Sequence, residues 1–334
     1  MSQRLKLTVI MGSAILLASV GTHFLAAGLG IQTKAATGYK RFGAISRPTQ
    51  ALILGSSLTY SGVDWTQVAG LLGAGIESWP VPGSSPAEWE QLQRRSPQAK
   101  TTFVGVSLYD LNEVSLCDYR ASVVPIRQTI SDLWASGSDL TFAKRMLSWY
   151  TLTRVRSIFP TAGRSDQVVF GLRDKARSVL GGAGADEDAG PGLSVAADFV
   201  PKDRVSDWSK DRLLRRMALM RSNQGKPWFS GPKHVALLRL LQQARRLGAV
   251  VVLVLPVSPP FVAELLGQSD IDGFEASLAE AMRAVPGAIW VRLDQIAPLN
   301  SSDCYFDFVH LNMQGRSIAT PELLKALAGA TDRP

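Results

Sequence analysis

The run GAVVVLVLPV, residues 248–257, limits the possible folds more than any other stretch of the chain. It has no polar side chain on either alternating face, so as a strand it must be covered on both sides. That is the situation of a central strand in a parallel sheet with helices on both faces. Other segments repeat the theme. TQALILG (49–55) and KTTFVGVSL (100–108) read as further buried strands, GIESWPVPG (75–83) as a strand running into a loop, and GAIWVRLD (287–294) as a last strand. Helical text lies between them: a helix through Trp65 to Leu72 that begins near Val63, SPAEWEQLQRR with Ser85 as N-cap and Pro86 at the first position, and SDIDGFEASLAEAMRAV. The closing helix runs from about Met313 to Ala328 behind an Asn312 cap. Strands alternating with helices predict a doubly wound α/β sheet.

Two regions stand outside this rhythm. Residues 1–33 start with Arg4 and Lys6 and continue apolar to about Ile31, longer than the ~20 residues needed to span a bilayer. We read them as an uncleaved signal anchor, with residues 34–49 as a connector and residues 50–330 as an exported domain; cleavage near Ala26-Ala27 or Ala35-Ala36 is the alternative. His23 lies within the anchor. The interval 118–232 reads as a mainly helical insertion, with a Gly-, Ala- and acid-rich loop at 181–192 and many basic residues, among them Arg154, Arg173, Arg212 and Arg216. It provides either a solvated basic face or a surface for anionic headgroups or a membrane partner.

A net charge of +8 by itself suits a membrane, an anionic glycan or a nucleic acid. No zinc-finger spacing, RNA-binding signature or Walker loop accompanies it, so nucleic acid is set aside. With 46% hydrophobic and 19% charged residues the chain has enough apolar surface to fold. Two cysteines, Cys117 and Cys304, exclude a disulfide-rich scaffold and a four-cysteine metal site.

The three histidines narrow the chemistry. His234 follows GPK at a helix start and reads as an exposed first-turn residue. His310 lies in CYFDFVHLNMQG, three residues after Asp307, a spacing that lets the carboxylate hold one imidazole nitrogen and leaves the other facing outward as a base. Ser57 ends the stretch LILGSS, at the C-terminal end of a buried strand, where α/β sheets bind ligands. A serine there needs such a base to act as a nucleophile. Ser56 is its neighbouring competitor. No second histidine stands near His310, so neither a metal nor another cofactor is expected.

These blocks resemble the SGNH (GDSL-type) hydrolases and acyltransferases over roughly residues 48–116 and 245–328. LILGSS matches the nucleophile block, VPGSSPAEW the second, and DFVH with LNMQG the last. The resemblance implies a flavodoxin-like three-layer α/β fold with a parallel sheet and a catalytic Ser57, His310 and Asp307. It also implies an oxyanion hole using the backbone N–H groups of Ser57 and Gly83, with Asn112 as the nearest candidate for the third block's asparagine. Ser56 stands where the family usually has aspartate, and VGVSLYDLNE lacks the usual Gly-x-Asn-Asp turn. Similar departures occur among membrane-anchored relatives that acylate envelope polymers, such as alginate O-acetylation proteins and the D-alanyl transfer protein of teichoic acid. By that likeness the expected partners are an acyl donor, a polysaccharide acceptor, the inner membrane and a multi-pass acyltransferase. A carbohydrate or lipid esterase and a non-catalytic envelope scaffold are the alternatives. The same fold puts the loops of Cys117 and Cys304 at one end of the sheet, where a disulfide would hold the His310 loop; two separate thiols are the alternative.

Overall fold

The structure, a computed structural model, describes residues 51–73, 76–80, 84–95, 99–113, 123–158, 229–307 and 309–331, together with residues 17, 21 and 24. Five parallel strands form one sheet: β1 (Ala51–Gly55), β2 (Ile76–Pro80), β3 (Thr101–Ser107), β4 (Ala249–Leu255) and β5 (Ile289–Arg292), in the order β2-β1-β3-β4-β5. This is the flavodoxin-like order that the resemblance implies, in the doubly wound sheet that the strand–helix alternation predicts. The chain leaves β1 toward one edge, returns to place β3 on β1's other side, and continues outward through β4 to β5. Ligands in such sheets bind at this reversal, beyond the C-terminal ends of β1 and β3.

The central strands are apolar because both their faces are covered. Leu52, Ile53 and Leu54 of β1 and Val252, Leu253 and Val254 of β4 are wholly buried, each side chain contributing about 1.5–3 kcal/mol. Right-handed crossovers put the helices before and after the reversal on opposite faces. One packed group contains α1 (Ser57–Gly62), α2 (Trp65–Leu72) and α10 (Met313–Thr331). The other contains α3 (Pro86–Arg95), α5 (Ile126–Ala135), α7 (Pro232–Leu247) and α9 (Gln268–Ala284), with α4 (Leu108–Leu111) a single turn after β3. Helices α6 (Leu140–Ile158) and α8 (Pro259–Leu265) complete the described elements longer than a 3-10 turn.

Of the expected insertion, 118–232, the structure describes residues 123–158 and 229–232. Helix α5 is tied to the sheet-covering helices by charge. Arg239 of α7 bonds Glu90 of α3 at 2.9 Å and Asp132 of α5 at 2.7 Å, and both carboxylates are buried. The anchor segment lies almost wholly outside the described residues. Among the described residues no helix is long and apolar enough to cross a membrane.

Two local readings are corrected. The helix read through Trp65 to Leu72 is α2, but it is not the first after β1: the separate helix α1 begins at Ser57, because Ser56 caps it by accepting from the Leu58 N–H at 3.2 Å, and Val63 ends it. His234 is not exposed. Helix α9 packs over the first turns of α7, leaving His234 3% accessible, with Nε2 3.0 Å from Glu280 Oε2.

Helix α1 starts directly off the strand because two glycines make room for it. A Cβ on Gly55 would stand 1.9 Å, and one on Gly105 2.1 Å, from Thr59 Oγ1. Thr59 thus sits against adjacent strands β1 and β3 and donates to the Gly105 carbonyl at 3.3 Å. Gly105→Ala should force α1 off this seat and destabilise the fold by about 1–3 kcal/mol. Thr59→Ala in the same chain should recover part of the loss. Urea denaturation measures both, and a midpoint unchanged by Gly105→Ala would contradict the close seat.

Candidate active site

Ser57 is the first residue of α1, 8% exposed, at the C-terminal edge of β1. Its position as N1 leaves its backbone N–H without an intrahelical acceptor. The turn is held from the side as well: Ser84 Oγ donates to the Gly55 carbonyl at 3.1 Å and accepts from Trp89 Nε1 at 2.7 Å.

His310 reaches Ser57 from the far side of the sheet. β5 is the edge strand, three strand spacings or about 14 Å from β1. Three 3-10 turns, Leu293–Gln295, Ala297–Asn300 and Ser302–Cys304, carry the chain back. The loop after them closes like a hairpin: Phe306 N–H donates to the His310 carbonyl at 3.0 Å, Asn312 N–H to the Cys304 carbonyl at 2.9 Å, and Tyr305 and Leu311 form an antiparallel bridge. Asn312 then caps α10, its Oδ1 accepting from Gly315 N–H at 3.0 Å. Gly315 lets the helix press on this loop, since a Cβ there would meet the Cys304 carbonyl at 2.4 Å. Helix α10 is also joined to the nucleophile side, where Thr320 Oγ1 accepts from Asp64 N–H at 2.9 Å.

Within this loop Asp307 divides its oxygens. Oδ1 accepts the backbone N–H groups of Val309 and His310, both at 2.8 Å, and Oδ2 stands 2.7 Å from His310 Nδ1. An ionised carboxylate only accepts, so Nδ1 carries the proton and Nε2 presents its lone pair. Nε2 lies 2.8 Å from Ser57 Oγ. The result is a continuous chain from Asp307 through His310 to Ser57, able to take a proton from the hydroxyl as it attacks. Burial alone would push the Asp307 carboxyl up, but the His310 hydrogen bond and charge with the two backbone N–H groups outweigh it and hold the carboxyl below its ordinary value.

The other expected site residues divide. Asn112 ends α4, and its carbonyl accepts from Lys233 Nζ at 2.6 Å. Gly83 and Cys117 lie outside the described residues. Cys304 is a buried free thiol that donates to the Pro298 carbonyl at 3.3 Å.

The sequence reading missed Asp110. It lies in the single helical turn after β3 and is 3% exposed. Ser107 Oγ donates to its Oδ2 at 2.8 Å, and the Asp110 backbone N–H donates to Ser107 Oγ at 3.1 Å. Burial pushes its carboxyl up to about 6, against the pull of the Ser107 hydroxyl and the Lys233 charge. The signal was present as Ser107-x-x-Asp110, the pattern of a capped helix start, within the stretch searched only for an asparagine. Among the described residues no cluster of His, Cys, Asp or Glu could hold a metal ion.

No protein-family model matches this chain, and neither does any curated protein. The solved structures similar to it include two at low identity. One is a Streptococcus pneumonia protein provisionally named as a platelet activating factor, 12% identical with a TM-score of 0.37, covering 98% of this chain and 100% of that one. The other is a mutant of Axe2, an acetyl-xylooligosaccharide esterase from Geobacillus Stearmophilus, 11% identical with a TM-score of 0.36, covering 85% of this chain and 95% of that one.

The two carboxylates act on stability with opposite sign. Asp307, lowered in the fold, stabilises it above the ordinary carboxylate range, and that contribution is lost as pH falls through the lowered value. Asp110, raised in the fold, favours folding most below 3.8, and this is lost as pH rises through about 6, on the order of 3 kcal/mol in all. Urea denaturation of the unsubstituted chain and of Asp110→Asn should therefore show the unsubstituted chain losing ground to the variant between pH 4 and pH 8. Parallel curves would contradict the buried, raised carboxyl.

Proposed function

We propose that this chain is an SGNH-type acyl-transfer enzyme, anchored in the inner membrane with its α/β domain facing the periplasm, that moves an acyl group, acetyl in the simplest case, onto a hydroxyl of an exopolysaccharide or cell-envelope glycan. The observation that carries the reading is the Ser57–His310–Asp307 hydrogen-bond chain, 2.8 Å and 2.7 Å in its two links, at the C-terminal edge of the sheet. The order of the strands and the motif blocks around Ser57 and His310 support it.

Ser57 Oγ attacks the carbonyl carbon of an acyl donor while His310 Nε2 takes its proton. Asp307 stabilises the imidazolium that forms and keeps the ring in the attacking orientation. The oxyanion is held by the N–H groups of Ser57 and Gly83, with Asn112 as a third donor; losing one such donor costs roughly 10²–10³ in turnover. His310 returns the proton to the leaving group, which departs and leaves acyl-Ser57. A glycan hydroxyl then gives its proton to His310 and attacks the acyl carbon, and Ser57 recovers its proton as it leaves.

Intact-mass and peptide mass spectrometry after exposure to an activated acetyl ester tests this. Acetyl should accumulate on Ser57 and be absent from Ser57→Ala and His310→Ala. Asp307→Asn should acylate about 10⁴-fold more slowly. Unacetylated glycan oligomers, whose hydroxyls are free to accept the acetyl group, should discharge the adduct faster than water. Discharge by water alone would make the protein an esterase. An unlabelled Ser57, or labelling that survives His310→Ala at full rate, would overturn the enzyme reading and favour an envelope scaffold.

A further inference from the structure

His310 acts through its two ring nitrogens, but its ring is in contact elsewhere too. Phe306, earlier in the same loop, packs its phenyl against the imidazole, with the ring centroids 5.5 Å apart and the planes inclined at 34°. This is nearer to offset stacking than to an edge-on contact, and within the separation that aromatic pairs favour. The loop brings the two rings together. With Tyr305 bridged to Leu311 and the Phe306 N–H bonded to the His310 carbonyl at 3.0 Å, residues 306 and 310 stand directly opposite in a short antiparallel pair. Directly opposed residues put their side chains on the same side. Tyr305 and Leu311, each 2% exposed, take the core side. Phe306 and His310, both half-buried, take the other, where Ser57 lies. Phe306 therefore belongs with His310 and not with the core.

We propose that Phe306 is a positioning residue for the general base: its phenyl braces the His310 ring and stabilises the imidazolium that forms during acyl transfer. This rests on the acyl-transfer reading and extends it. Hydrogen bonds at Nδ1 and Nε2 act in the plane of the imidazole, and a phenyl packed beside that plane resists rotation about the line joining them. The bond at Nε2 does not last the whole cycle. Once Ser57 Oγ carries the acyl group it has no proton to give, so the 2.8 Å bond lapses, whereas the Asp307 bond at Nδ1 and the phenyl contact persist. His310 must still keep Nε2 aimed toward the acyl carbon, to take the proton of the incoming hydroxyl.

The charge argument points the same way. The face of a phenyl ring is electron-rich and attracts a cation held within about 6 Å of its centroid. The His310 ring, at 5.5 Å, meets that distance, and it becomes a cation each time it takes a proton from Ser57 or from the acceptor. Attraction for the imidazolium exceeds that for the neutral ring, so the contact strengthens as the proton moves and favours the transition state over the ground state. Asp307 meets the new charge at the Nδ1 edge, and Phe306 meets it beside the ring.

The test uses the full-length chain and 4-nitrophenyl acetate, with stopped-flow kinetics separating acylation of Ser57 from discharge of the acyl group to water. Phe306→Leu should melt within a few degrees of the unsubstituted chain. It should acylate about 2- to 5-fold more slowly, through the lost attraction for the imidazolium. Its discharge should slow by about 10- to 100-fold, because alignment of the base is lost as well. Phe306→Tyr, which keeps the aromatic face, should restore both rates to within about twofold of the unsubstituted chain. Replacing Phe306 by mono-, di- and trifluorophenylalanine drains the ring face at nearly constant shape, and acylation should slow stepwise along the series. This series also carries the test if Phe306→Leu fails to fold. A folded Phe306→Leu with both rates unchanged, a discharge no more impaired than acylation, or an acylation rate indifferent to fluorination would each overturn the proposal while leaving acyl-Ser57 in place. No acyl-Ser57 in the unsubstituted chain would instead overturn the acyl-transfer reading, and this inference with it.

Discussion

The close approach of helix α1 to the sheet is the constraint on which the rest depends. Thr59 occupies space that exists only because positions 55 and 105 carry no Cβ. With that contact made, the chain can turn from strand to helix within Ser56 alone, and Ser57 lands at the strand edge rather than a turn or two away. Trp65 Nε1 closes the seat from the other end by donating to the Thr59 carbonyl at 3.0 Å. A bulkier packing of α1 would still give an α/β sheet, but the hydroxyl would stand off from the imidazole.

The second requirement is a rigid return path. His310 follows the edge strand and must reach the middle of the sheet. The loop does this by pairing with its own backbone, through the hairpin-like bonds of Phe306 and Asn312, the two N–H groups on Asp307 and the Asn312 cap. Tyr305 adds a buried phenol whose hydroxyl donates to the Leu299 carbonyl at 3.0 Å, joining the loop to the turns before it. Asp307 and His310 therefore arrive as one preformed unit, and docking α10 against α1 completes the alignment with the serine. Such preorganisation lets a proton transfer proceed without rearranging the site.

The parts of this arrangement legible in the sequence were those with a local signature. Apolar runs such as GAVVVLVLPV gave the central strands, and Asp307-x-x-His310 with the Asn312 cap marked the loop. Ser57 was marked by its place after a buried strand. What was not legible depends on tertiary contacts. Gly55 and Gly105 are distant in sequence, and only the packing of Thr59 between them explains both. Ser56 looked like a rival nucleophile until its hydroxyl was seen capping α1. Asp110 was overlooked because an acid in a helix-start pattern is ordinary until the fold buries it at the end of β3. His234 was misjudged for the same reason: a first-turn position says nothing about a second helix lying over it.

The account stands or falls on whether Ser57 is a nucleophile activated by His310. The most direct measurement is reaction of the full-length chain with a fluorophosphonate, with the modified residue located by tandem mass spectrometry. The account predicts a single adduct, on Ser57, whose formation slows by orders of magnitude in His310→Ala. An adduct on Ser56, or an unmodified Ser57 under conditions that label an established serine esterase, would contradict it.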